Sequence, residues 1–152
     1  MKIILLSVSF LFLFFGCQKN STGINSSESQ ITLTTDKSSY VQSDTIKVTL
    51  RNNSDEDIVF MVRNDCMILY YQKYQNNGWS DILDLNNCPW KVPDVQKTLK
   101  PNGSLTQNLE PGIFSSTGTF RLVIKLISPK QSAEKSDNGL NVFSNSFEIK
   151  KD

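Results

Sequence analysis

The chain predicts an all-β fold, an antiparallel β-sandwich, on three observations. Beyond residue 30 no segment sustains a 3.6-residue apolar period, whereas two-residue alternation recurs. Turn signals built on Asn, Pro and Gly separate the short apolar segments. The segments follow one another at roughly the 8–12-residue spacing of sandwich strands.

Taken in order, Ile31 to Thr35 alternates, and so does Thr45 to Arg51. In the second segment Ile46, Val48 and Leu50 are expected to face the core, with Lys47, Thr49 and Arg51 outward. Ile58 to Val62 is a continuous apolar run, which fits a strand buried on both faces. Met67 to Tyr74 reads as a strand ending near Asn77-Gly78, a strong hairpin signal, and Trp79 to Leu85 returns. Val95 to Leu99 precedes the turn Pro101-Asn102-Gly103, and Leu105 to Leu109 precedes Glu110-Pro111-Gly112. Thr119 to Ile127 is the longest strand, with Phe120, Leu122, Ile124 and Leu126 on one face. Val142 to Lys150 closes the series, with Phe143, Phe147 and Ile149 on one face and Asn145 interrupting.

Composition narrows the function classes. The 152 residues carry 16 basic and 15 acidic side chains, three cysteines and no histidine. Near-neutral charge argues against a general nucleic-acid binder. The missing histidine removes the commonest general base, metal ligand and partner of a Ser or Cys nucleophile, so neither metal nor cofactor is expected.

The N-terminus bears on the compartment. Lys2 precedes an apolar run from Ile3 to Phe15 broken only by Ser7 and Ser9. A spanning helix needs about 20 apolar residues, so this shorter run reads as the h-region of a signal peptide. The junction Phe14-Phe15-Gly16-Cys17 resembles the lipobox of bacterial lipoproteins, although Leu13 sits one place earlier than the family's usual leucine. The resemblance implies cleavage before Cys17, diacylglycerol on its thiol, acylation of the new amino terminus, and attachment to the bacterial cell envelope. Gln18 to Gln30 is rich in Ser and Asn and reads as a tether. The expected organisation is therefore a leader of residues 1–16, a lipidated tether of 17–30 and one domain of 31–152. Without Lys2 the remaining chain has 15 basic and 15 acidic side chains.

Several segments of that domain resemble bacterial immunoglobulin-like domains. Tyr40-Val41-Gln42-Ser43-Asp44, the alternating strand to Arg51, and Asn52-Asn53-Ser54 look like their second-strand motif. Leu99-Lys100-Pro101-Asn102-Gly103 is similar to their connection of leucine, proline and glycine, and Gly118-Thr119-Phe120-Arg121-Leu122 to their penultimate strand. The resemblance implies an immunoglobulin-like sandwich of about seven to nine strands. Phe120 occupies the tyrosine-corner position, so the corner's phenolic hydrogen bond is not expected.

Cys66 and Cys88 flank the Asn77-Gly78 hairpin, placed to come opposite each other. In an exported protein they are expected to form a disulfide; two buried free thiols or a metal site are the alternatives. Tyr70, Tyr71, Tyr74, Trp79 and Trp90 cluster in the same hairpin and its exit. They offer either an exposed recognition surface or, the favoured reading, side chains that pack the core and cover the disulfide. Adjacent Tyr70 and Tyr71 must point to opposite faces if extended. A polar loop from Ser128 to Gly139, carrying Lys130, Lys135 and Asp137, is either a binding loop or a solvated insertion. Asp55-Glu56-Asp57 reads as a solvated turn rather than a calcium site.

The expectation for function is a noncatalytic lipoprotein, held at the membrane by lipid on Cys17 and engaging a protein or surface partner of unknown identity. A proteinase inhibitor is the alternative, because Asn53-Ser54, Ile58-Val59-Phe60 and the Leu99 connection also resemble the bacterial intracellular proteinase inhibitor family. A histidine-free hydrolase ranks last: Ser132 to Lys135 matches Ser-x-x-Lys only by letters, in a polar loop.

Overall fold

Alternating apolar and polar residues build two facing sheets in the computed structural model, which describes residues 30–127 and 139–152. The leader, Cys17, the tether up to residue 29, the Ser132–Lys135 match, and Lys130, Lys135 and Asp137 lie outside the described residues. In chain order the strands are β1 (Ile31–Thr35), β2 (Ser39–Val41), β3 (Ile46–Asn52), β4 (Ile58–Arg63), β5 (Cys66–Met67), β6 (Tyr70–Gln75) and β7 (Gly78–Trp79). There follow β8 (Leu83–Asp84), β9 (Val95–Leu99), β10 (Ser104–Leu109), β11 (Gly118–Ile127), β12 (Leu140–Phe143) and β13 (Phe147–Lys150).

β1, β3 and β10 form a three-stranded antiparallel sheet with β3 central. The opposing sheet is organised by β11, whose one edge pairs β6 and β4 in succession and whose other edge pairs β13 and β12. β9 extends this sheet beyond β4, β7 and β8 extend it beyond β6, and β2 pairs in parallel with β13. Ile46, Val48 and Leu50 bury against the other sheet in one cluster with Phe60, Leu122 and Ile124. Each such side chain contributes about 1.5–3 kcal/mol by leaving water. Aromatic rings close one part of this core: Phe114 lies 4.7 Å from Phe120 and 5.6 Å from both Tyr71 and Phe147. Gly118 opens β11 at a φ of 136°, which L side chains rarely adopt, with the Lys73 side chain 3.0 Å from where a Cβ would stand.

The sandwich has more and shorter strands than the sequence suggests, because the chain interrupts three of them. Asn64 and Asp65 both take positive φ, and they turn Cys66–Met67 back antiparallel to β4. The segment expected as one strand from Met67 is therefore split, and pairing with β11 resumes only at Tyr70. The next turn uses Asn76-Asn77, at φ 51° and 61°, rather than Asn77-Gly78. Gly78 instead pairs with Gln75, which sets Trp79 opposite Tyr74. The return strand is broken between β7 and β8, where Ser80 accepts the Lys73 N–H on its hydroxyl and donates its own N–H to Lys73.

At the last strand, the Ser144 hydroxyl accepts the Leu122 N–H and the ladder parts there. Asn145 turns to hold Thr35 of the other sheet at 2.9 Å. This break resets the alternation, so Phe143 points outward while Phe147 and Ile149 stay in the core, unlike the single face expected. In β4, Ile58, Phe60 and Val62 are buried whereas Val59 and Met61 are half-buried. An apolar run in this sheet thus has one core face and one face covered only by its neighbours.

Candidate functional site

The Cys66–Cys88 disulfide spans the interruption between β4 and β6, with its Cα atoms 5.7 Å apart. The residues it brackets, Met67 and Leu69, are completely buried. Their backbone groups need partners, and pairing with β4 and Leu85 supplies only some of them. Gln107 of β10 accepts the Met67 N–H at 2.6 Å on its Oε1. Asn87, next to Cys88, donates to the Met67 carbonyl at 2.8 Å and accepts the Leu69 N–H at 3.1 Å. The bridge therefore holds in place a segment satisfied partly by short strand pairing with β4 and partly by the side chains of Gln107 and Asn87.

Beside it, β6 divides its aromatic residues between two faces. Tyr71 enters the core, while Tyr70, Gln72 and Tyr74 lie on the outer face of the larger sheet. On β11 the same face carries Arg121, Val123 and Lys125, and on β12 it carries Phe143. These residues join into one patch. The Arg121 guanidinium lies 4.3 Å from the Trp79 ring centre and 4.1 Å from that of Phe143, and its Nε donates to Gln72 Oε1 at 2.8 Å. Gln72 is buried and its amide nitrogen donates to the Ser80 carbonyl. The Lys125 ammonium sits 4.2 Å from the Tyr70 ring centre, and Tyr74 meets Trp79 edge-on at 5.3 Å.

Two consequences follow from this packing. Val123 points outward yet has no exposed surface, because the flanking long side chains roof it. The same covering desolvates the cation and pushes the Arg121 pKa down, leaving it charged, while burial first and then Asp84 and Asp94 push the Tyr70 phenol up. Tyr74 and Phe143 remain 46% and 40% exposed, so rings line the edge of the patch.

Tyr70, Tyr74 and Trp79 are thus brought together on the outer face. They pack above the sheet rather than in the core. Trp90 stands apart at 75% exposure, in no ring pair or cation contact among the described residues. The sequence reading did not single out Arg121, Lys125, Gln72 or Phe143. The alternation of Thr119 to Ile127 does put Arg121, Val123 and Lys125 on one face, but only the break at Ser144 adds Phe143 to it.

The acidic run makes a turn that is tied internally. Asp57 pairs with Lys100 at 2.7 Å, and the Glu56 carbonyl accepts from the Asn52 amide at 2.8 Å. Among the described residues no group of three or more His, Cys, Asp or Glu side chains is placed to hold a metal ion.

Two sheets facing across an apolar core define a β-sandwich. The chain belongs to a bacterial Ig-like domain family, whose model matches residues 27–139. No curated protein matches it. Among solved structures it is similar to the class 5 fimbriae chaperone CfaA, with 13% identity and a TM-score of 0.45 over 79% of this chain and 57% of that one. A chain of the CFA/I chaperone–tip adhesin complex is 17% identical, with a TM-score of 0.41 over 77% of this chain and 54% of that one. A β-glucosidase of Erythrobacter marinus is 13% identical, with a TM-score of 0.41 over 78% of this chain and 15% of that one. The chain spans about half the length of the two fimbrial chains and a small part of the glucosidase.

Proposed function

We propose that this chain is a noncatalytic lipoprotein, anchored to the bacterial envelope through Cys17, that presents its Ig-like domain to a protein partner. The observation that carries the reading is the patch of Tyr70, Tyr74, Trp79 and Phe143 around Arg121 and Lys125. Aromatic residues and arginine dominate the energetic centres of protein interfaces. A domain built only for stability gains little from exposing such rings on a sheet's outer face. The lipobox-like junction at Cys17 and the polar stretch after it support display at a membrane surface.

Two measurements test this. For the anchor, wild type is expected in the detergent phase and Cys17→Ser in the aqueous phase; equal partition of both rejects lipidation. For the surface, partners are captured from envelope extracts with wild type, with Tyr74→Ala/Trp79→Ala, and with residues 128–138 deleted. Loss of the partner only on the aromatic variant supports the patch; loss only on the deletion moves the site to that loop.

A further inference from the structure

Resting on that interaction reading, the geometry points to Arg121 as the anchor for a carboxylate of an acidic protein segment docking on the outer face of the larger sheet. Arginine has five N–H donors, of which the Arg121 Nε–H is taken by Gln72. The donors on its two terminal nitrogens have no hydrogen-bond partner among the described residues. The side chain reaches this state already ordered. Trp79 and Phe143 hold the guanidinium from the two sides of β11, and Gln72, fixed in turn by the Ser80 carbonyl, sets its rotation. Rings beside the guanidinium carbon leave its terminal N–H groups for a ligand. A planar fork with paired N–H groups matches one acceptor especially well, a carboxylate receiving two parallel hydrogen bonds.

The surroundings favour a protein carboxylate over other anions. Lys125 supplies a second cation four residues along the same face, about 13 Å away at strand spacing. Neither cation is in an ion pair among the described residues, whereas Arg63 of the neighbouring β4 is paired with Asp94 at 2.6 Å. Between them lie the roofed Val123 and the exposed ring of Phe143, and Tyr74 borders Trp79. Two separated cations set among apolar groups suit a segment with spaced Asp or Glu and apolar residues between. A polyanion such as nucleic acid or polyphosphate needs a denser cationic track than this nearly neutral chain provides.

The test selects a random dodecapeptide phage library on the disulfide-intact protein and on its Arg121→Gln variant, with near-ultraviolet circular dichroism verifying that the variant keeps its fold. Wild type is expected to enrich peptides with Asp or Glu beside apolar residues, binding at least about tenfold more tightly than their Asn or Gln counterparts. Arg121→Gln is expected to lose that enrichment and Arg121→Lys to recover only part of it, since an ammonium cannot offer the fork. No enrichment, enrichment without acidic residues, or an unchanged outcome on Arg121→Gln overturns the proposal. So does tight binding of polyphosphate that survives Phe143→Ala. If the aromatic variant loses its captured partner while acidic peptides show no advantage, the acidic class fails and the interaction reading stands. If the aromatic variant keeps its partner, both fail.

Discussion

The Tyr40 hydroxyl donates to the Asp36 carboxylate at 2.7 Å and accepts the Lys37 N–H at 2.8 Å, closing the crossover between β1 and β2. The same Asp36 oxygen accepts the Lys47 N–H at 3.0 Å, so the crossover is tied to β3. Phe120 occupies the tyrosine-corner position and the phenolic latch is made by Tyr40 in another place.

Burial and then the Asp36 hydrogen bond push the Tyr40 phenol up to about 12. A raised phenol favours the protonated native state, so its contribution is complete below the ordinary value of 10.0 and is lost as pH rises towards 12. Desolvation works to raise Asp36, but the hydrogen bonds from Tyr40 and Lys47 outweigh it and hold the pKa low. That contribution is present above the ordinary carboxylate range and disappears as pH falls through the folded value. Tyr40→Phe should flatten the alkaline loss and cost about 1.5–3 kcal/mol at neutral pH. Urea unfolding from pH 4 to 12 checks both; a wild-type alkaline slope in the variant refutes the assignment.

Opening the Cys66–Cys88 bridge loosens the Met67–Leu69 segment, which only the two-residue pairing of β5 with β4 and a few single hydrogen bonds otherwise hold. Cys66→Ala/Cys88→Ala should lose about 3 kcal/mol on the chain-entropy account of a loop this size. Dithiothreitol should lower the wild-type urea midpoint and leave the double variant unmoved. Intact mass without reductant should be two hydrogens below the reduced chain.

Gln107 is a polar side chain on the inward face of β10, between Leu105 and Leu109, and its partner is backbone in the opposite sheet. Gln107→Leu keeps the volume but orphans the Met67 N–H. The expected cost is about 1–3 kcal/mol, accompanied by faster hydrogen exchange at Met67. Exchange at Met67 unchanged from wild type would show that the Gln107 amide is not what protects this N–H.

Period and turn chemistry made most of the sandwich readable. Ile31 to Thr35 and the inward set Ile46, Val48 and Leu50 needed only alternation, because one face of each strand meets a core. The split at Asn64-Asp65 and the register at Asn76-Asn77 were not readable. Asn and Asp adopt left-handed conformations without announcing it as glycine does. For the outer-face patch, each contributing strand showed its own alternation, but no local signal states which strands become neighbours. Trp79 meets Phe143 across Arg121 only because β6 and β12 flank opposite edges of β11.

Asn52 ends β3 with its side chain fully buried and every polar atom used. Its amide nitrogen donates to the Glu56 carbonyl at 2.8 Å and the Leu99 carbonyl at 3.1 Å, while its oxygen accepts from the Ser54 N–H and hydroxyl. Asn52→Ala should therefore cost about 1–3 kcal/mol for the stranded groups. Asn52→Asp, almost identical in shape, should cost more at neutral pH, since it sets a buried carboxylate against two carbonyl oxygens. Protonation restores one donor, so that carboxyl titrates above its ordinary value in the folded state. Its favourable contribution is present at low pH and is lost as pH rises. Stability of the two variants should thus converge as pH falls from 7 to 4, and urea midpoints measured in parallel decide it. A constant gap across that range would mean that Asn52 acts through packing rather than through its two donated hydrogen bonds.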